Sequence, residues 1–227
     1  MELGRYLDHL AADGEALVRA LEADPVAPVA TCPGWDVTEL TRHTSGIHRW
    51  ADEVVRTGAT TRLSRRDMPD QPPVDPVELA MWSRQTLAGL LDTLRSTDPD
   101  RPVWTFGPEQ RAAFWSRRMA HETTVHRWDG ETAAALPGPI DPELAADGID
   151  EVVTIVLRRF TPPARLHLEV ADDEGRWTVA GEGPDVDVTA PAADLLLFLW
   201  GRVGPDRLTT VGGDAALLAR WQAEVRL

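Results

Sequence analysis

Between residues 2 and 134 the apolar side chains recur every third or fourth position in four separate stretches, each closed by proline or by a polar run. That period places them on one face of a helix. The first stretch, residues 2–22, carries Leu3, Leu7, Leu10, Leu17, Val18 and Leu21, and Pro25 and Pro28 end it. A turn at Cys32-Pro33-Gly34-Trp35 leads to Asp36, an N-cap with Glu39 three residues on, close to a capping box. The second helix is predicted over 37–56, burying Val37, Leu40, Thr44, Ile47, Ala51 and Val54. The third is predicted over 76–95 and the fourth over 110–134. Residues 57–76, proline-rich with Arg62, Arg65 and Arg66, read as a loop, and a short extended piece is expected around Val103-Trp104.

The pattern changes after Pro137-Gly138-Pro139. A helix over 142–159 is followed by strand patterns at Leu166–Ala171 and Trp177–Ala180, joined by a turn at Asp172–Gly175. A third strand is expected at Val186–Thr189, helices over 190–202 and 214–225, and a short strand near Leu208–Val211. Four helices ahead of an α+β tail give a mainly α plus α+β chain, divided into domains at 1–136 and 137–227.

The net charge of −14 argues against non-specific binding to nucleic acid or to an anionic membrane surface. No apolar run approaches the length of a membrane span; Leu195-Leu196-Leu197-Phe198-Leu199-Trp200 is too short. The amphipathic, acidic start lacks the basic n-region of a signal peptide, and a single cysteine, Cys32, forbids an intrachain disulfide. These features lead us to expect a cytoplasmic protein. All 23 basic residues are arginine, with no lysine and no asparagine, which we read as the codon bias of a GC-rich genome.

Chemistry concentrates in His121-Glu122-Thr-Thr-Val-His126-Arg127-Trp128-Asp129. Glu122 and His126, four residues apart, stack on one helix face at a separation one metal ion can bridge. His121 lies about 140° from His126 around the helix and points elsewhere. A third ligand can come from the second helix. The apolar centre there is expected near Ile47 and Ala51, with His43 roughly 60° to one side and His48 roughly 80° to the other. The triad His43, Glu122 and His126 is mildly favoured, with His48 in reserve. Two histidines and one carboxylate with open positions describe a catalytic rather than a structural metal site. The competing explanation is a surface Glu–His helix pair worth a few tenths of a kcal/mol.

Three motifs in order, Cys-Pro-Gly-Trp-Asp-x4-Thr-Arg-His at 32–43, His-Glu-x3-His-Arg-Trp-Asp at 121–129 and Trp200-Gly201-Arg202, make the chain resemble the mycothiol-dependent maleylpyruvate isomerase family. The resemblance covers nearly the whole chain. It implies a DinB-like four-helix bundle followed by a small C-terminal α/β domain similar to sterol carrier protein 2. It also implies that His43, eight residues after Trp35, is the ligand rather than His48, completing His43, Glu122 and His126 as metal ligands. Arg202 then matches an arginine of the C-terminal domain that reaches the active site as a catalytic group. The lysine-free composition agrees, since mycothiol is the thiol of GC-rich actinobacteria.

The chemistry implied is thiol activation. A coordinating divalent metal, zinc by ligand preference with nickel, manganese or iron also compatible, deprotonates the thiol of mycothiol. The thiolate adds to an electrophilic carbon. It leaves again after bond rotation in an isomerase, or stays attached in a thiol S-transferase. Arg202 would pair with a carboxylate of the small-molecule substrate; a helix C-terminal arginine satisfying free carbonyls is its plainer reading. Arg42, Arg49, Arg118 and Arg127 are expected mostly on solvated helix faces, and Cys32 is expected to be structural. The protein is expected to be a monomer or homodimer, and the rival classes are a metal-dependent hydrolase that uses bound water and a non-catalytic binding module.

Overall fold

The computed structural model describes residues 1–68, 70–171 and 174–225. It divides into two compact units, Met1–Pro139 and Ile140–Leu227.

The first unit is built on α1 (Leu3–Ala23), α2 (Val37–Thr57), α3 (Pro76–Ser96) and α4 (Ala113–Ala133). Local chemistry sets several of the ends. Asp36 accepts a hydrogen bond from the Glu39 amide (2.8 Å) and so caps α2. Asp75 accepts from the Val77 and Glu78 amides (3.0 Å each), with Pro76 in the first turn of α3. Each cap satisfies amides that the helix leaves without partners. Gly58 closes α2 in the left-handed region (φ 66°), where a side chain would be strained.

α1 packs on α4 and α3, and α2 packs on α3 and α4, so the helices run around the bundle in the order α1, α4, α2, α3. Chain neighbours α1 and α2 therefore stand diagonally opposite, as do α3 and α4. Gly130 lets α1 close on α4: a Cβ there would stand 2.8 Å from Leu17. The core includes Leu10, Leu17, Leu21, Leu40, Ala51, Leu79 and Leu90, all 2% exposed or less. Beside it, Trp115 meets Trp50, Phe106 and Phe114 edge to face, Trp50 meets Trp104 in the same way, and the Trp115 indole donates to the Trp104 carbonyl (3.0 Å).

The 58–75 connector is tied to α2. Arg42 donates to the Pro73 carbonyl (3.1 Å), Arg49 pairs with Asp70 (2.9 Å) and the Trp50 indole donates to the Leu63 carbonyl (3.0 Å). One turn of 3-10 helix, Arg65–Asp67, interrupts it. Residues 103–104 form no named strand; the extended element nearest to them is a single bridge between Pro102 and Arg111, and α4 starts three residues later than the spacing predicts.

In the second unit α5 (Pro142–Glu151), capped by Asp141, runs into a π-turn over Val152–Val156 and a 3-10 turn over Leu157–Arg159. The helix expected over 142–159 is thus three successive windings. Strands β1 (Arg165–Val170), β2 (Arg176–Val179), β3 (Asp185–Ala190) and β4 (Thr210–Gly212) form one sheet in the order β2-β1-β3-β4. β1 pairs antiparallel with β2 and parallel with β3, with Leu168 opposite both Trp177 and Val188. Leu166, Leu168, Val170, Val186, Val188 and Ala190 alternate inward. Helix α6 (Ala192–Leu199), apolar almost throughout, packs on β1 and β3 and carries α5 against it, and α7 (Ala216–Glu224) adds Leu218 and Trp221 to the core. Half of the turn expected at Asp172–Gly175 lies outside the described residues. Among the described residues no helix is long and apolar enough to cross a membrane.

Candidate metal centre

α4 carries its chemistry on the inside. Ser116, Arg118, His121, Thr123, Thr124, His126, Arg127 and Asp129 are all buried. The helix is enclosed by α1 on one side and α2 on the other, so polar side chains face protein rather than water and must find partners there.

Glu122 and His126 face α2, and His43 faces them from it. Glu122 Oε1 lies 3.3 Å from His126 Nε2 and 3.6 Å from His43 Nε2, and the three ligand atoms all lie within 4.8 Å of one another. Ligands held about 2.1 Å from one tetrahedral ion stand about 3.4 Å apart. The spacing suits a single divalent ion.

The surroundings point the same way. Arg118, its side chain 5% exposed, pairs with the other oxygen of Glu122. Burial would raise the Glu122 carboxyl, but Arg118, then His126 and His43, hold it well below the usual carboxylate range. His126 Nδ1 hydrogen-bonds to Asp129 Oδ2 (3.1 Å). With that proton on Nδ1, the neutral ring turns a bare lone pair toward Glu122 Oε1, an arrangement that calls for a cation between them. Burial alone would lower the His126 pKa, yet Asp129 and Glu122 push it up to about 9. A proton or a metal ion meets the same need.

A second donor group, Cys32, His126 and Asp129, shares His126. It would use Nδ1, which already donates to Asp129, and Cys32 Sγ stands 4.0 Å from Asp129 Oδ2. The first group therefore has the free lone pairs.

His48 is more buried than His43, at 3% exposure, but its Nε2 hydrogen-bonds Thr123 Oγ1 at 2.7 Å, and it belongs to neither donor group. Burial lowers its pKa to about 4, with Glu122 opposing and His126 adding to the shift. Of the two residues expected at the apolar centre of α2, Ala51 is fully buried and Ile47 only half-buried, while Thr41, Thr44, Ser45 and His48 are also inside. α2 packs against two helices at once, so its buried arc is wider than its apolar stripe.

The arginine reading is also corrected. Arg118 and Arg127 are each 4% exposed; Arg127 pairs with Asp13 (3.3 Å) and Glu131 (2.8 Å). Arg42 and Arg49 hold the 58–75 connector rather than facing solvent freely. His121 is buried with its ring edge-on to Tyr6. Arg202 lies in the second unit, two residues past the end of α6's last turn at Trp200. There it donates to the Trp200 carbonyl (2.7 Å) and its guanidinium lies 5.9 Å from the centre of the Trp200 ring.

Trp35 and Thr31 make contacts at the site that the spacing alone does not give. Trp35 packs its ring against that of His43, centroids 4.8 Å apart. Thr31 donates to Asp129 Oδ1 (2.6 Å). The turn before α2 thus touches both candidate histidines, His43 directly and His126 through Asp129. Asp129 lay inside the quoted motif, three residues after His126; nothing in the spacing singled out Thr31. A cavity of about 250 Å³ opens beside His43, walled in part by Arg42, Arg49, Arg65, Asp70 and Trp82.

Residues 7–130 match the mycothiol maleylpyruvate isomerase N-terminal domain, and residues 143–220 match the MDMPI C-terminal domain. No curated protein matches the sequence. Two solved structures share the fold. A crystal structure of the mycothiol-dependent maleylpyruvate isomerase is 18% identical, and one of a histidine-to-alanine mutant of that enzyme is 16% identical. Each gives a TM-score of 0.71 and covers 93% of this chain and 93% of its own.

Proposed function

The chain belongs to the mycothiol-dependent maleylpyruvate isomerase family, and on that premise we propose that it is a metal- and mycothiol-dependent enzyme acting on a small electrophilic molecule. The observation that carries the reading is the convergence of His43 Nε2, Glu122 Oε1 and His126 Nε2 between α2 and α4.

These three side chains would hold a divalent ion, and zinc fits two imidazoles and a carboxylate. Such an ion, when bound, supplies an open position at which a thiol loses its proton at neutral pH. The protein's own groups do the rest. Arg118 keeps Glu122 ionised, and Trp35 fixes the His43 ring. The cavity beside His43 admits a small molecule, and Trp82 gives it one apolar wall. The thiolate adds to the electron-poor carbon of a conjugated double bond, the resulting single bond rotates, and departure of the thiolate restores the double bond in the trans form. A substrate whose adduct instead takes up a proton at the carbanion carbon, replacing the one the thiol lost, would leave as the thioether, making the reaction a thiol transfer. For Arg202 we propose pairing with a substrate carboxylate, a role supported by the Trp-Gly-Arg motif.

The test is metal content by mass spectrometry on untagged protein, beside His43→Ala and Glu122→Ala, followed by turnover assays with and without the thiol. About one equivalent of divalent metal, lost in both variants, with thiol-dependent turnover, is expected. Wild-type protein that neither carries nor takes up metal would refute the metal centre. Turnover that ignores the thiol would favour hydrolysis by bound water.

A further inference from the structure

We propose that Asp129 is a positioning residue of this metal centre, one that decides which nitrogen of His126 is free for the ion, and that Thr31 in the turn before α2 holds it in that role. The inference rests on the metal-centre reading above and adds residues that are not ligands.

A neutral imidazole carries one proton on one of two nitrogens, and only the bare nitrogen can bind a metal. His126 is 11% exposed as a side chain, and the Asp129 side chain beside it is fully buried. Asp129 Oδ2 accepts from His126 Nδ1 at 3.1 Å, which leaves the Nε2 lone pair for the side facing Glu122 and His43. Its other oxygen accepts from Thr31 Oγ1 at 2.6 Å. Thr31 belongs to the same turn as Trp35, which packs on His43. One turn, preceding α2 in the chain, thus sets the ring of one ligand by contact and the tautomer of the other through a carboxylate. This accounts for the Cys-Pro-Gly-Trp turn, which no ligand role explains.

Asp129→Asn makes the sharpest test. Its amide can turn an N–H toward Nδ1, which favours the tautomer with the proton on Nε2, where the ion would bind. Zinc affinity of the full chain would be measured by competition with a chromophoric chelator for wild type, Asp129→Asn and Thr31→Val. The 15N spectra of the histidine rings in each zinc-loaded protein would be recorded alongside. Asp129→Asn is expected to bind zinc about 10- to 100-fold more weakly. Thr31→Val, which keeps the side chain's shape and removes its donor, should lose roughly fivefold, the value of one hydrogen bond. In wild type the His126 spectrum should show a protonated Nδ1 and a metal-bound Nε2.

Zinc affinities within twofold of wild type in both variants would overturn the inference while leaving the metal centre standing. So would a zinc-loaded wild type in which His126 binds the ion through Nδ1, since Asp129 could not then hold the proton there. A wild type whose zinc binding survives His43→Ala and Glu122→Ala would overturn the metal centre, and this inference with it.

Discussion

Acid should destabilise the helical unit through His48, and the size of the effect follows from its burial. His48 is 3% exposed, hydrogen-bonded to Thr123, with its pKa lowered to about 4 against an ordinary value of 6.5. A base with a depressed folded-state pKa binds fewer protons folded than unfolded. Its neutral form is fully compatible with the fold above pH 6.5, and stability is lost as pH falls toward 4. By linkage the loss is about 1 kcal/mol at pH 5.5 and about 2–3 kcal/mol at pH 4.5, relative to neutral pH. The charged groups facing His48 are Glu122 and His126 on α4. His126, raised to about 9, loses its stabilising contribution only as pH rises from 6.5 through 9, so it is silent in the acid window. The assay is urea denaturation of metal-free protein at pH 7.5, 5.5 and 4.5, for wild type and His48→Gln. The variant should be less stable at pH 7.5 by about 1 kcal/mol, the value of a hydrogen bond, and should overtake wild type below about pH 5.5. A wild-type-minus-variant difference that stays constant across the three pH values would refute the reasoning.

Trp115 is fully buried in the aromatic cluster and bonded to the Trp104 carbonyl, so Trp115→Ala should cost about 3–5 kcal/mol in urea denaturation. Asp75→Ala removes the acceptor for two amides at the start of α3 and should cost about 1 kcal/mol. That corresponds to a fall of about 2–4 °C in Tm by calorimetry. Arg49→Ala cuts the tie to Asp70 and should speed tryptic cleavage after Arg62, Arg65 and Arg66, read by mass spectrometry of the fragments. An unchanged cleavage rate would show that the remaining ties are enough to hold the connector.

The start of α2 was legible because a side chain, Asp36, makes it, and the helices expected from 76 and 142 do begin there, on aspartates (Asp75 and Asp141) that the reading did not name as caps. The winding of residues 152–159 was not, because a π-turn needs no special residue and leaves the apolar spacing nearly unchanged. α4 shows the limit of periodicity most clearly. It has scarcely any apolar stripe, yet it is buried along most of its length, so Arg118 and Arg127 read as surface groups and prove to be interior. What encloses them is α1 and α2, and no local pattern on α4 announces its neighbours. Glu122 and His126 could be paired from their spacing, which is a property of one helix. The choice between His43 and His48 depends on the rotation of α2 about its own axis, which is set by packing on two helices at once. A family resemblance indicated His43 where the residues alone left the choice open.

The diagonal placement of α1 against α2, and of α3 against α4, has a consequence for the order in which a growing chain could acquire an ion. His43 is synthesised with α2, but its proposed fellow ligands arrive only with α4, the last helix of the bundle. A chain ending before α4 holds one ligand of the three. An ion bound by all three would therefore be a clasp fastened between early and late parts of the chain, reporting that the bundle has closed. Its contribution would scale with supply, reaching about 4 kcal/mol when free metal stands at 1,000 times its dissociation constant. In a metal-starved cell the same sequence would make a protein with a shorter life.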